Sequence, residues 1–329
     1  MGYVLPSLLL VLPLSVFLLR YSRATVSTVP LPRPPVAMHE HRPSEVWLVE
    51  ESGGSQTYSN GLRIDNRYAV SNHPRSYMAF PLAGGPGVPR TSPAGIVFHT
   101  TQSMQAPFEP RENRVLKRLG ESLLEYIRRK RAYNFLIDRF GRVYRVVKES
   151  DAANHAGYSV WADGRWLYVN LNESFLGVSF EAETKPGETE SRMSDAQMRA
   201  AAMLVEMLRS RFGIPGANCV THGQVSVNPS NMLVGYHIDW ASSFPFQSVG
   251  LMDNYALPLP AVWALGFEAD PAFLRRAGPR LAASAATAEQ SLEETAHVAG
   301  VSLPTYRKML RKRYRERLKE MRQVEEEVE

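Results

Sequence analysis

The chain has 329 residues, with 44% hydrophobic residues, 22% charged residues and a formal net charge of +5. That composition excludes a disordered or low-complexity chain and allows two domains, or one domain with extensions. The single cysteine excludes an intrachain disulfide framework and a cysteine-rich metal site, and the mild positive charge suits an anionic wall or membrane surface without demanding one.

Residues 3–19, YVLPSLLLVLPLSVFLL, are apolar and uncharged. The run is short beside the ~20 residues of a spanning helix and carries Pro6 and Pro13, so a secretory signal fits it better, with Ser22 and Ala24 as a small-residue cleavage site. Because no Lys or Arg precedes the run, and Arg20 and Arg23 follow it, an uncleaved anchor stays open over 1–24. Either way the chain is expected to be exported, to a periplasmic or extracellular site. Prolines 30, 32, 34, 35 and 43 make 25–43 a semi-rigid linker.

Residues 44–92 contain strand candidates at 46–49 and 62–70, with Gly-rich turns at Gly53-Gly54 and 84–87. They carry no catalytic signature and read as an edge hairpin or an accessory lobe. A catalytic domain is expected over 93–250. It opens with a buried strand, GIVFHT at 95–100, followed by a helix at 110–131 whose Leu116, Leu119, Leu123 and Ile127 share one face. A hairpin follows, YNFLID and RVYRVV around Arg139-Phe140-Gly141, and then a strand at 176–183. The 194–212 helix starts at a capping box, Ser194 and Gln197, and stops at Gly213 and Pro215. The alternation predicts an α/β fold, a mixed central sheet flanked by helices, with a helical C-terminal extension. Residues 251–282 read as a connecting segment. In 283–329, Ser291 and Glu294 read as a second capping box, followed by an Ala299–Ser302 turn and a strongly basic helix. This pattern resembles a helix-turn-helix. DNA binding is disfavoured on an exported protein. A wall- or membrane-contacting appendage, or a packed hairpin with no partner, fits better.

The chemistry concentrates in CVTHGQVSVNPSNMLVGYHIDW, 219–240, where imidazoles and a carboxylate lie close together after a short strand. Cys219 itself reads as a small core residue. With His99 at the end of the GIVFHT strand, His222 and Asp239 make a three-ligand zinc site with an open fourth position, the catalytic arrangement. His237 and Asp239 are two residues apart, so both point to one side of an extended segment, and an all-histidine set with His237 as third ligand stays open.

In order, IVFHTT, AYNFLIDRFGRVYRV, NHAG, LGVSF, VTHG and GYHIDW resemble the zinc N-acetylmuramoyl-L-alanine amidases of the amidase-2 family, similar to phage-type amidases and peptidoglycan recognition proteins. The resemblance covers about 93–246. It implies Zn2+ as cofactor, peptidoglycan or muropeptides as partner, and hydrolysis of the bond between N-acetylmuramic acid and L-alanine. It also implies Asp239 as third ligand, His237 in the place of the family's usual lysine as a cation for the oxyanion, and Tyr133 as a second oxyanion donor. His155 and Asn154 resemble a substrate-groove loop, and Thr100, Ser179 and Glu181 complete the candidate substrate contacts. The intracellular branch carries a proton-transfer glutamate where Ser179 stands here. Glu181 lies ~7 Å along the same strand face, too far for simple substitution, so proton transfer is expected to fall to the metal's bound water, assisted by Tyr133 and His237. The rival reading is a peptidoglycan-binding protein that does not cut.

Overall fold

The computed structural model describes residues 42–328, with side chains through Arg322. The signal or anchor expected at 1–24, and all but the last two residues of the 25–43 linker, lie outside them. The strands in chain order are β1 (Leu48–Ser52), β2 (Ser55–Tyr58), β3 (Arg63–Asp65), β4 (Tyr77–Pro81), β5 (Val88–Arg90), β6 (Gly95–Thr100), β7 (Phe135–Ile137), β8 (Val143–Arg145), β9 (Val160–Ala162), β10 (Trp166–Val169), β11 (Phe175–Phe180), β12 (Cys219–Thr221), β13 (Val227–Asn228), β14 (Leu233–Val234) and β15 (Glu268–Ala269). The helices are α1 (Asn113–Lys130), α2 (Leu171–Ser174), α3 (Asp195–Phe212), α4 (His222–Val225), α5 (Pro260–Trp263), α6 (Pro271–Ala277), α7 (Pro279–Val298) and α8 (Leu303–Val328). Among the described residues, no helix is long and apolar enough to cross a membrane.

The eight-stranded main sheet has the order β1-β2-β3-β8-β7-β11-β6-β12. Strands β7, β11, β6 and β12 run parallel, so their carboxyl ends share one edge. β6 is buried along its whole length between β11 and β12, which explains its unbroken apolar run. Its side chains alternate between two cores. Ile96 and Phe98 meet Ala201, Leu204, Val205 and Leu208 of α3, whereas Val97 meets Tyr77, Trp161, Tyr168 and Val220 on the other side. α3 starts as expected: Ser194 Oγ accepts from Gln197 N, and the Gln197 side chain accepts from Ser194 N.

Two of the expected divisions of the chain give way to this packing. Of the two readings of 44–92, β1–β3 take that of an edge of the main sheet, and the segment is not a lobe apart. β1–β3 extend the main sheet through a parallel pairing of β3 with β8, and β4 and β5 join β9 and β10 in a second sheet, order β5-β4-β10-β9. The second sheet turns Tyr77, Ala79, Trp161 and Tyr168 toward the main sheet and Phe80, Val160, Leu167 and Val169 toward the C-terminal helices. A short strand set alternating in this way needs a cover on both faces. α5–α8 supply the second cover, with Leu281, Leu292, Tyr306, Leu310, Tyr314 and Met321 all buried in it.

The boundary expected at 282/283 therefore falls inside α7, which begins at Pro279, a proline at the first helical position. Ser291 does not cap a helix start. It lies mid-helix, where its carbonyl accepts from Thr295 Oγ1, and Glu294 accepts from Gln290 instead of reaching back to a cap. Of the expectations for the tail, α8 takes the packed one. Its Arg313 donates to the Leu82 carbonyl at 2.7 Å and its Glu320 accepts from Gly87 N at 2.9 Å.

Candidate metal and active site

The carboxyl edge of the parallel strands is where an α/β sheet leaves room for a site. His99 is next to last in β6, on the face opposite α3, and is 1% exposed. His222 follows directly on β12, because that strand turns at once into α4, where Thr221 N donates to Gln224 Oε1 at 3.0 Å. Asp239 comes from the loop after β14. Gly223 lets that loop approach: a Cβ there would meet Ala241 Cα at 2.7 Å, and Gly223 N donates to the Asp239 carbonyl. Trp240, fully buried among Phe180 and Phe244, wedges the loop down, and its amide donates to Thr184 Oγ1.

These placements bring together His99, His222 and Asp239, with one potential ligand atom each, all within 4.8 Å of one another. The Asp239 carboxylate lies 3.3 Å from His99 Nδ1 and 3.1 Å from His222 Nδ1. Burial, then the charge of His222, push His99 down to about 4, so its imidazole is neutral at physiological pH and keeps a lone pair to give. Burial works to raise the Asp239 carboxyl, but His222 and then His99 outweigh it and hold the carboxyl well below the usual carboxylate range. A neutral imidazole and a standing carboxylate, together with His222, are a donor set that fits zinc.

The other sequence-predicted residues divide. Tyr133 is beside the cluster, its ring 5.0 Å from that of His99. It precedes β7 and does not open it, in a left-handed conformation at φ 62° that a non-glycine residue seldom adopts. Asn134 holds this kink in place: its Oδ1 accepts from Gly177 N and its Nδ2 donates to the carbonyls of Val147, Lys148 and Asp151. Burial, and then the negative Asp239, push the Tyr133 phenol up to about 12, so it stays a hydrogen-bond donor. Ser179 pairs in register with His99 across β11 and β6, and its hydroxyl is buried beside the Tyr133 phenol.

His237 is exposed and stacks on His222, with ring centroids 4.4 Å apart. Partial burial and the nearby His222 lower its pKa. In either charge state the ring has an N–H to offer. Thr100 alternates to the α3 side of β6, where its hydroxyl accepts from Gln102. Glu181 turns to the β7–β8 hairpin, accepting from Arg139 N at 3.1 Å, and burial raises its pKa. Asn154 donates its side-chain amide to the Lys130 carbonyl at the end of α1. These three are engaged in the scaffold instead of the cluster. His155 is not a loose groove residue, because its Nδ1 lies 3.1 Å from His99 Nε2. Sequence reading missed Asn134 altogether, and the only signal available was its place beside the tyrosine.

The fold and the site thus define an α/β protein with a zinc-compatible His-His-Asp cluster at the carboxyl edge of its sheet. Residues 89–233 match the Amidase_2 family model, N-acetylmuramoyl-L-alanine amidase, and this part of the chain is an Amidase_2 domain; His237 and Asp239 lie just beyond the matched span. A search of curated proteins finds no match. Among solved structures, the chain is similar to the N-acetylmuramoyl-L-alanine amidase LysC from Clostridium intestinale, at 20% identity over 48% of this chain and 83% of that one, with a TM-score of 0.30. It is similar to the amidase AmiD from E. coli, in complex with an anhydro-N-acetylmuramic acid peptide, at 19% identity over 60% and 65%, with a TM-score of 0.36. Drosophila PGRP-LB aligns at 14% identity over 49% and 85%, with a TM-score of 0.31. Likeness at this level carries no weight beside the residues themselves.

Proposed function

We propose that this protein hydrolyses the amide bond between N-acetylmuramic acid and L-alanine in peptidoglycan, using zinc held by His99, His222 and Asp239. The observation that carries the reading is the convergence of these three side chains within 4.8 Å, at the edge of an Amidase_2 domain. When bound, zinc would polarise the amide carbonyl and lower the pKa of a water molecule. Tyr133, protonated and beside His99, donates its O–H to the oxygen that gains charge. His237, exposed at the rim and stacked on His222, offers an N–H from the solvent side. The carboxylate of Asp239 balances the charge of the metal. Glu181 takes no part: Glu181→Gln is expected to keep activity within about twofold of the parent, because its carboxylate serves the hairpin turn, and a loss beyond tenfold would place it back in proton transfer.

A substrate of this kind fits export, the role proposed for 1–24. The test combines metal content with release of stem peptide from purified peptidoglycan, with and without a chelator. About one zinc per chain with chelator-sensitive release is the expected result. Stoichiometric zinc without release would favour a peptidoglycan-binding protein, and a chain without zinc would overturn the ligand assignment.

A further inference from the structure

We infer that His155 is a positioning residue of this centre: it fixes the tautomer of His99, so that Nδ1 turns its lone pair toward His222 and Asp239. The inference rests on the metal reading above and adds a residue to it. Its logic is a chain of obligate donors and acceptors. His155 Nε2 lies 3.3 Å from the Phe175 carbonyl, which can only accept, so Nε2 carries the proton. Nδ1 of the neutral His155 ring is then an acceptor, and at 3.1 Å it requires His99 Nε2 to be the donor. His99 Nδ1 is left with its lone pair, 3.3 Å from the Asp239 carboxylate. Two acceptors facing one another across that gap are at ease only with a cation between them.

The surroundings hold His155 in this state. Asn172 Oδ1 accepts from the backbone amides of His155, Ala156 and Gly157 at 2.8, 2.7 and 2.8 Å, which pins the loop. The ring lies over Gly177, where an added Cβ would meet His155 Cγ at 2.7 Å, so the glycine of LGVSF makes room for the histidine of NHAG. Arg75 is buried nearby and, among the described residues, has only backbone carbonyls bonded to it. It donates to the Phe175 carbonyl at 3.0 Å and to the backbone carbonyls of Glu149 and Asp151. Arg75 and His155 Nε2 share the Phe175 carbonyl, so a fixed positive charge already stands beside the ring and disfavours a second one there.

The test measures zinc affinity by chelator competition on the full chain, for the parent, His155→Leu and His155→Asn. His155→Leu removes the acceptor and is expected to weaken zinc binding about 10–100-fold, the usual cost of losing a partner behind a ligating histidine. His155→Asn keeps an oxygen close to the place of Nδ1 and is expected to recover most of that loss, which a purely packing role would not predict. In the metal-free parent labelled with 15N-histidine, His99 is expected to show a protonated Nε2 and an unprotonated Nδ1. His155→Leu affinity within twofold of the parent, or a His99 proton on Nδ1, would overturn the inference while leaving the zinc site standing. If His155→Leu does not fold, the parent's tautomer and the Asn variant decide the matter. A parent that binds no zinc would sink the metal reading itself, and this inference with it.

Discussion

Asp239→Ala is expected to lose stoichiometric zinc and to lower stem-peptide release by about 10³-fold or more. Lewis-acid stabilisation of an amide transition state is worth several kcal/mol, and each ~1.4 kcal/mol is a factor of ten in rate. The carboxylate also supplies the anion that two imidazoles cannot, so its removal leaves His99 and His222 as a weak pair of ligands. Far-UV circular dichroism should be unchanged, because Gly223 N and Trp240 anchor the loop through main-chain contacts that alanine preserves. His237→Ala is the discriminating companion. It should keep its zinc and lose rate only. If His237→Ala loses the metal while Asp239→Ala keeps it, the third ligand is the exposed histidine and the loop must move to bring it in.

Truncation before α8 is expected to abolish cooperative folding, although composition alone leaves a contacting appendage open beside a packed hairpin. Removing it would strip Tyr306, Leu310, Tyr314 and Met321 from the core they share with Phe80, Trp263, Phe267 and Leu292. It would also uncover the face of the second sheet, whose opposite face covers the core beneath His99. The milder Leu310→Ala should cost about 2–5 kcal/mol in urea unfolding, the range for deleting a fully buried leucine side chain. Lys312→Ala, at an exposed position of the same helix, should cost no more than about 0.5 kcal/mol. A truncated chain that melts cooperatively and retains zinc would show that α8 is dispensable, and would return it to the role of a surface-contact arm.

Much of the site could be read locally. The IVF run before His99 marks a buried parallel strand, Ser194 and Gln197 mark the start of α3, and Gly213 marks its end. These signals survive because each is a property of a few adjacent residues: alternation, a reciprocal cap, a residue free to adopt positive φ. Even the pairing of His222 with Asp239 was visible, since only α4 and the short β13–β14 pair lie between them.

What the sequence by itself determined was therefore the segment that builds the cluster: an α/β core, the two histidines and the carboxylate, and the motif order that leads to the Amidase_2 domain. Only the tertiary structure decided which neighbours those residues meet. Glu181 looks like a site residue by strand alternation, but β11 ends at Phe180 and the carboxylate turns to the hairpin. His155 looks like a loop residue, yet a glycine on another strand gives it a seat beside His99. Residues 44–92 and the basic C-terminal helices look peripheral because their partners lie hundreds of residues away in sequence. Arg313 reaches Leu82, and Glu320 reaches Gly87, across that distance. Local pattern specifies an element and its apolar face. Which face it covers is set by the pairing of surfaces that the chain brings together only on folding.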